Sequence, residues 1–403
     1  MQNHQDNSTP QIDVASIDTS YDVVVVGARA AGAATAMLLA RRGLKVLAVD
    51  RGVYGSDTLS THSLAGAGVL QLSRWGLLDR IREAGTPVTN RMTFHYGENV
   101  VDIDIPARGD VDGLYSPPRP LLDRTLVDAA AEAGAHVRHE VSVVRVTSND
   151  TGRVDGVELD IGGRRQRVSA RFVVGADGVR SRVARQVGAE IVRQETVTTA
   201  GVFAYFEGVR DDTIVNHYLP GRAAVVIPCE PSVACVWVGM APDEFDRTAR
   251  GNIAEAHESR LGAFPEIAGP LLEARRISGY RAFPGMPGFT RKAWGDGWAL
   301  VGDAAYFKDP VSAHGITDAF ITAELLANSI SDVVDRDVDE DSAFAHYERE
   351  RDEMAAAMMP SVAAVAALPD DLTLVQQGFR GMSRAMKAEH ELIGSGFGAT
   401  AAC

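Results

Sequence analysis

A chain of 403 residues with 45% hydrophobic and 23% charged side chains has an ordinary globular composition and enough length for two or three structural units around a sizeable core. Its formal net charge of −14 argues against a nucleic-acid backbone or an anionic membrane surface as partner, and no apolar run is long enough to span a bilayer. The three cysteines, Cys229, Cys235 and Cys403, form no CxxC pair and have no histidine at metal-ligand spacing, so the chain reads as a cytoplasmic protein of a reducing compartment, with neither a structural disulfide nor a metal site.

Residues 1–20, "MQNHQDNSTPQIDVASIDTS", are polar, lack the apolar core of a signal peptide and read as a disordered tail. Val23 to Val26 is a β-branched run suited to a parallel strand buried on both faces. Gly27 follows at a turn, Ala30 to Arg42 reads as a helix closed by Gly43, and Lys45 to Val49 is a second strand ending at Asp50. This is the outline of a dinucleotide-binding βαβ unit. The helix N-terminus offers free N–H groups to a pyrophosphate, and a carboxylate after the second strand accepts hydrogen bonds from ribose hydroxyls. Asp50 stands 23 residues after Gly27, near the expected spacing, and favours a ribose without a 2′-phosphate. Gly27 and Gly32 hold the first and third glycine positions of the fingerprint, but Arg29 holds the second. On this segment alone FAD and NAD both fit, as does a plain βαβ unit.

Further along, the second half of Ser56 to Asp79 reads as a helix with Leu70, Trp75, Leu77 and Leu78 on its apolar side. Arg91 to Ile105 looks like sheet, and "RPLLDRTL" (Arg119 to Leu126) leads into the helix "VDAAAEAG". Residues 172–178, "FVVGADG", are a strand running into Asp177-Gly178, and residues 298–305, "WALVGDAA", a strand running into Gly302-Asp303. Between them, "AGVFAYFEG", "TIVNHYLPG", "AAVVIPCE" and "VACVWVGMA" read as antiparallel strands. "FPGMPGF" (Phe283 to Phe289) returns the chain to the first unit. Ser342 to Ala357 reads as a charged helix, and residues 361–393 as further Ala-rich helix broken by "LPDDL".

The glycine turn, the Asp-Gly motif and the Gly-Asp motif, in that order, resemble FAD-dependent monooxygenases of the para-hydroxybenzoate hydroxylase type. They equally resemble their relatives, the flavin-dependent halogenases and the geranylgeranyl-reductase-like enzymes, over roughly residues 20–350. The resemblance implies an α/β fold with a Rossmann-like FAD-binding domain, a discontinuous antiparallel-sheet substrate domain and C-terminal helices. The FAD-binding domain would take residues 21–90, 116–195 and 286–335, the substrate domain 91–115 and 196–285, the C-terminal helices 336–395 and a flexible tail 396–403.

By the same resemblance, Gly27, Arg29, Ala31 and Gly32 would line the pyrophosphate turn, and Asp50 with Arg51 the adenosine ribose. Arg119 would lie near the phosphates, and Asp177, Gly302 and Asp303 would meet the FAD, Asp303 at the ribityl chain or pyrophosphate. An aspartate between strand and helix is also an ordinary N-cap. "DPVSAHGITDAF" (Asp309 to Phe320) would form the turn beside the isoalloxazine ring, with Pro310 in the loop and the N–H groups of Gly315 and Ile316 toward the N1–C2=O edge. A helix end there stabilises negative charge on a reduced flavin. Departures from the family pattern are Ser312, Thr317 and Ala184; Arg180, Arg182 or Arg185 would supply the charge missing at Ala184.

His62 and His314 are the catalytic candidates, since imidazole titrates near neutral pH and can deprotonate a phenol or amine; the alternative is a structural histidine. Lys308 would add positive charge near the flavin. Phe203, Tyr205, Tyr218 and Trp237 are candidate substrate-wall residues, with His217 and Arg281 beside them, and ordinary sheet packing is the alternative for each. The implied reaction has NAD(P)H as a transient reductant, O2 adding at flavin C4a, and the hydroperoxide hydroxylating an electron-rich small-molecule substrate. A separate flavin reductase is the implied partner if the enzyme is not self-contained. Three other readings stand beside it: a prenyl double-bond reductase, a halogenase and a non-catalytic flavin protein. Of the halogenase signature Trp-x-Trp-x-Ile-Pro only Ile227-Pro228 is present, and Cys229 stands where the reductases' aromatic-Pro-Lys motif has its lysine.

Overall fold

Four consecutive valines, Val23 to Val26, are almost free of solvent exposure, because a parallel strand at the middle of a sheet is covered on both faces. The computed structural model describes residues 17–60, 62–209 and 213–395 and places this strand, Ser20–Val26, at the centre of its first sheet. The expected tails fall on residues outside that set, save for 17–20, and so does Cys403. Across the sheet the order is Trp294–Gly295, Trp298–Leu300, Arg164–Gly175, Ser20–Val26, Val46–Val49, His136–Arg138. All neighbours run parallel except the edge pair Trp294–Gly295 and Trp298–Leu300. An antiparallel arm, Val141–Ser148 and Val154–Ile161, extends from the first half of Arg164–Gly175.

The Ala30–Ala40 helix is apolar all round, so it lies buried between the sheet, the Arg119–Glu132 helix and the Gly315–Asp335 helix. The helix expected in the second half of Ser56 to Asp79 is two helices, Gly66–Arg74 and Leu78–Glu83, because Gly76 turns the chain at φ +74°. Trp75, Leu77 and Leu78 are still buried, on either side of the break.

The second sheet orders Arg275–Arg276, Ala200–Glu207, Val233–Met240, Arg222–Glu230, Ile214–Leu219, Arg91–Tyr96, Asn99–Asp104, with Arg281–Phe283 also on Ala200–Glu207. It is mixed and not purely antiparallel: Ile214–Leu219 runs parallel to Arg91–Tyr96. Those two strands are joined through more than a hundred residues, which include part of the first sheet, so no hairpin forces them to be antiparallel. Strand alternation splits the layer's side chains. Val202, Ala204 and Val236 face a cluster with Phe245, Leu261 and Phe264 from short helices at 242–271, while Phe203, Trp237 and Tyr218 face the other way.

The C-terminal helices cover that other face. Glu340–Ala366 is one helix that continues through Pro360, longer than the helix expected from Ser342 to Ala357, and Leu372–Gly394 packs on it. Tyr347 donates to Leu300 O at 2.6 Å and fastens the first of them to the parallel sheet. The second approaches closely at Gly378, where a Cβ would lie 2.5 Å from Val365 Cγ2 and 3.0 Å from Ser361 O. Gly378→Val is therefore expected to destabilise the protein by about 1–3 kcal/mol in urea unfolding, through overpacking of this helix pair.

Candidate functional site

The two sheets and the Gly315–Asp335 helix enclose a cavity of about 810 Å³, within the range of cofactor and ligand sites. One end lies at the Gly27–Ala31 turn. Gly27 takes φ +103°, and a Cβ there would collide with Ala176 O, so backbone packs directly on backbone. A Cβ on Gly32 would strike Gly27 O, and one on Gly302, itself at φ +60°, would lie 2.8 Å from Ala31 Cβ. Gly32 and Gly302 thus stand behind the wall and allow the close approach, whereas Gly27, Arg29 and Ala31 line it.

Arg29 is the N-cap of the first helix with φ −94°, extended backbone that needs no glycine. Its guanidinium turns away from the helix end to Ser56 O, Ser56 Oγ and Asp123 Oδ2, each at 3.0 Å. Asp123 also holds Arg119 through contacts of 2.9–3.2 Å. One buried carboxylate is therefore shared by two guanidiniums, which leaves net positive charge beside the turn. Asp50 accepts from Ala28 N at 2.9 Å and Gly52 N at 2.7 Å, and its remaining lone pairs are available to hydroxyls. Arg51, Arg180, Arg182 and Arg185 also border this end. Asp177 borders the cavity too, but its carboxylate accepts from Ser181 Oγ, Arg182 N and Val183 N, the capping arrangement.

Asp303 faces the middle of the cavity and has no hydrogen-bond partner among the described residues. Removal from bulk water, with Asp318 nearby, pushes its pKa up to about 6, and Arg119 and Lys308 oppose that rise. Beyond it lie Pro310, Ser312, His314 and the start of the Gly315–Asp335 helix. The N–H groups of Gly315, Ile316 and Thr317 find no acceptor among the described residues, as expected of a helix end that awaits a ligand. A donor-rich turn, an unpaired carboxylate at mid-cavity and a free helix end suit a dinucleotide carrying a polar ring edge.

The far wall is aromatic. Phe203, Trp237, Phe283 and Phe307 line it with Thr199 and Gly201. Gly201 pairs directly with Gly239 on the adjacent strand, and a Cβ on either would collide with the Trp237 ring. The indole therefore lies flat across both strands. Tyr205 and Tyr218 do not reach the cavity. Tyr218 packs against Phe379 with ring centroids 5.4 Å apart, because the last helix covers that part of the sheet. Tyr205 contacts His62 Nε2 and donates to Ser60 O at 3.1 Å. His217 points to the opposite face, stacked on His95, and Arg281 pairs with Asp57.

His62 is buried, with φ +69°, and takes an N–H from Arg119 on Nδ1 at 3.2 Å. Nδ1 is then the acceptor and Nε2 carries the proton toward Tyr205. Burial, helped by the Arg119 charge, pushes its pKa down to about 3, so both nitrogens are engaged in a neutral ring that ties His62 to the Arg119–Glu132 helix and to the second sheet. His314 is enclosed beside Lys308, Asp318 and Glu389. Asp318 follows His314 by one helical turn, a spacing legible in the sequence; Glu389 and Phe307 carry no local signal.

These features define a dinucleotide-binding flavoprotein. The chain matches the FAD binding domain family over residues 20–362 and belongs to it. It is 30% identical over 329 residues to the menaquinone reductase of Mycolicibacterium smegmatis, covering 77% of this chain and 76% of that protein. Among solved structures it resembles the probable FAD-dependent monooxygenase PqsL from Pseudomonas aeruginosa at TM-score 0.77 and 20% identity, covering 90% of this chain and 100% of that one. It also resembles the myxobacterial chondrochloren halogenase CndH at TM-score 0.77 and 23% identity, covering 95% and 93%. The protein is thus a member of the FAD-dependent oxidoreductase superfamily, and no helix among its described residues is long and apolar enough to cross a membrane.

Two substitutions separate ligand from scaffold at the turn. Arg29→Gly is expected to keep FAD through gel filtration, since the side chain serves Ser56 and Asp123; a colourless variant would make the guanidinium a direct ligand. Asp50→Ala is expected to weaken FAD at least about tenfold in a fluorescence titration, as charge-assisted hydrogen bonds are lost.

Proposed function

We propose that the protein is an FAD-dependent monooxygenase that hydroxylates a neutral, electron-rich, planar small molecule, with NAD(P)H as reductant and O2 as co-substrate. The observation that carries this reading is the aromatic end of the cavity, where the ionisable side chains among the described residues are already engaged. Lys308 contacts Asp318 and lies 3.1 Å from His314 Nδ1. Asp309 accepts from Thr198 Oγ1, Thr199 N and Val311 N. His62 is closed in by Arg119 N–H and Tyr205. Among the described residues the one unpaired carboxylate of the cavity, Asp303, stands at its middle and not at this end, and no lysine at this end is free for halogen transfer.

When bound, FAD supplies the electron transfer and the oxygen activation. We assign Gly27, Ala31, Asp50, Arg119, Asp303, Gly315 and Ile316 to holding it, with Gly32 and Gly302 permitting the approach. Residues 91–115 and 196–285 form the substrate-facing unit in this reading. Trp237 offers its ring face to a planar substrate, Phe203, Phe283 and Phe307 exclude water, and the helix end at Gly315 faces developing negative charge. No side chain need act as base if the substrate is already electron-rich.

A second reading, reduction of a prenyl double bond, is favoured by the similarity to menaquinone reductase. One experiment separates them. The FAD-loaded protein is reduced with NADPH and exposed to 18O2 in the presence of neutral phenols, indoles or quinolones, and products are read by mass spectrometry. A substrate-dependent acceleration of flavin bleaching with one 18O in the product is expected. Anaerobic saturation of a prenylated quinone, with no oxygen incorporated into any aromatic compound, would overturn the proposal. Bleaching that requires an added flavin reductase would place the reductant on a separate partner.

A further inference from the structure

Four buried ionisable side chains that the proposed reaction does not use meet behind the first turn of the Gly315–Asp335 helix: Lys308, His314, Asp318 and Glu389. They come from three places in the chain, the strand Tyr306–Phe307 and its exit, the helix start, and the last helix. His314 Nδ1 lies 3.0 Å from Asp318 Oδ1, and His314 Nε2 lies 3.0 Å from Glu389 Oε2. Lys308 contacts the other oxygen of Asp318. Each ring nitrogen therefore faces a carboxylate. Lys308 Nζ also lies 3.1 Å from Nδ1. Two carboxylates at 3.0 Å, one beside each ring nitrogen, favour the doubly protonated ring over the neutral one.

The charges around it agree. Burial works against the imidazolium, but Glu389 and Asp318 outweigh burial and the Lys308 ammonium and raise the His314 pKa to about 9. Two other titratable groups face the cluster. Tyr306, whose ring lies 4.9 Å from Lys308 Nζ, is held in its neutral form by burial, and Asp303 is raised to about 6. His314, Asp318 and Glu389 stand near enough together to share a metal ion. The Lys308 ammonium contacts Asp318, His314 Nδ1 hydrogen-bonds to Asp318 Oδ1, and Nε2 stands at ion-pair distance from Glu389, so two cations here would balance the two carboxylates.

We propose that Glu389, delivered by the last helix, holds His314 as an imidazolium behind the helix end that faces the bound flavin, where this cation offsets the negative charge the flavin gains on reduction. His314 and Glu389 are positioning residues. The C-terminal helix thereby belongs to the redox site, although none of its described residues lines the cavity. The proposal rests on FAD in this cavity and is independent of which substrate is oxidised or reduced.

The test is the pH dependence of the flavin midpoint potential, from pH 6 to 10, in the FAD-loaded protein and in Glu389→Gln and Glu389→Asp. In the unsubstituted protein the potential is expected to fall more steeply above about pH 9, where reduction must draw in the His314 proton as well. In Glu389→Gln the steepening is expected at least about one pH unit lower, a tenfold weaker hold on the proton, with partial return in Glu389→Asp. Because folding raises the His314 pKa, its contribution to stability is whole below pH 6.5 and is lost as pH rises through about 9, which thermal melts of the cofactor-free protein would register. Selective 15N-histidine NMR, with His314→Gln to assign the signal, reads the ring directly at pH 8 and needs no flavin. An imidazolium signal supports the proposal. A neutral ring, or the same pH profile with and without Glu389, overturns it. Failure of the unsubstituted protein to take up FAD would refute the cavity's assignment instead, and the NMR result would stand apart from it.

Discussion

The contact of backbone on backbone at Gly27, Gly32 and Ala176 is the constraint from which the rest of the site follows. With no side chain between them, the first helix docks end-on against the strand ends, and its free N–H groups open into the cavity. The position of that helix sets where the Arg119–Glu132 and Gly315–Asp335 helices lie, since both pack on it. Arg119 and Asp123 reach the turn from one, and the second helix end of the cavity comes from the other. Any side chain at Gly27 or Gly32 would push these elements apart and displace both ends of the site together.

A chain that leaves the first unit and returns twice builds the remainder. The parallel pairing of Ile214–Leu219 with Arg91–Tyr96 seals the second sheet to a strand laid down more than a hundred residues earlier. The His62–Tyr205 contact and the Arg281–Asp57 pair then bind the loop after Asp50 to that layer. His62 is better described as a joint between the two units than as an acid or base, because both its nitrogens are committed and its charged form is disfavoured. The last helix plays the corresponding part on the other side, covering Tyr218 and placing Glu389 against His314.

The half of the cavity proposed for the cofactor was the easier to read. Gly27, Ala31, Asp50, Arg119, Asp303, Gly315 and Ile316 all border the cavity, because each sits in a short motif whose backbone geometry is local. Arg29 was visible as an anomaly, but its purpose lay in Asp123 and Ser56, which are distant in the chain. The substrate half was harder to read. Alternation placed Phe203 and Tyr205 on one face correctly, yet only Phe203 reaches the cavity, since Tyr205 is held by the loop that bears His62. Tyr218 lies on the same face and is covered by a helix formed from residues 372–394, which no pattern in its own strand foretells.

By itself, then, the amino-acid sequence determined the βαβ unit, the order of the nucleotide-binding motifs and the presence of a second sheet, because those rest on local periodicity, turn residues and helix ends. Only the tertiary structure decided which aromatic side chains form the far wall, that the indole of Trp237 lies over a paired Gly201 and Gly239, and that His314 meets a carboxylate on each nitrogen. The physical reason is that these depend on contacts between segments far apart in the chain, where the chemistry of a side chain is set by what packs against it and not by its neighbours in sequence.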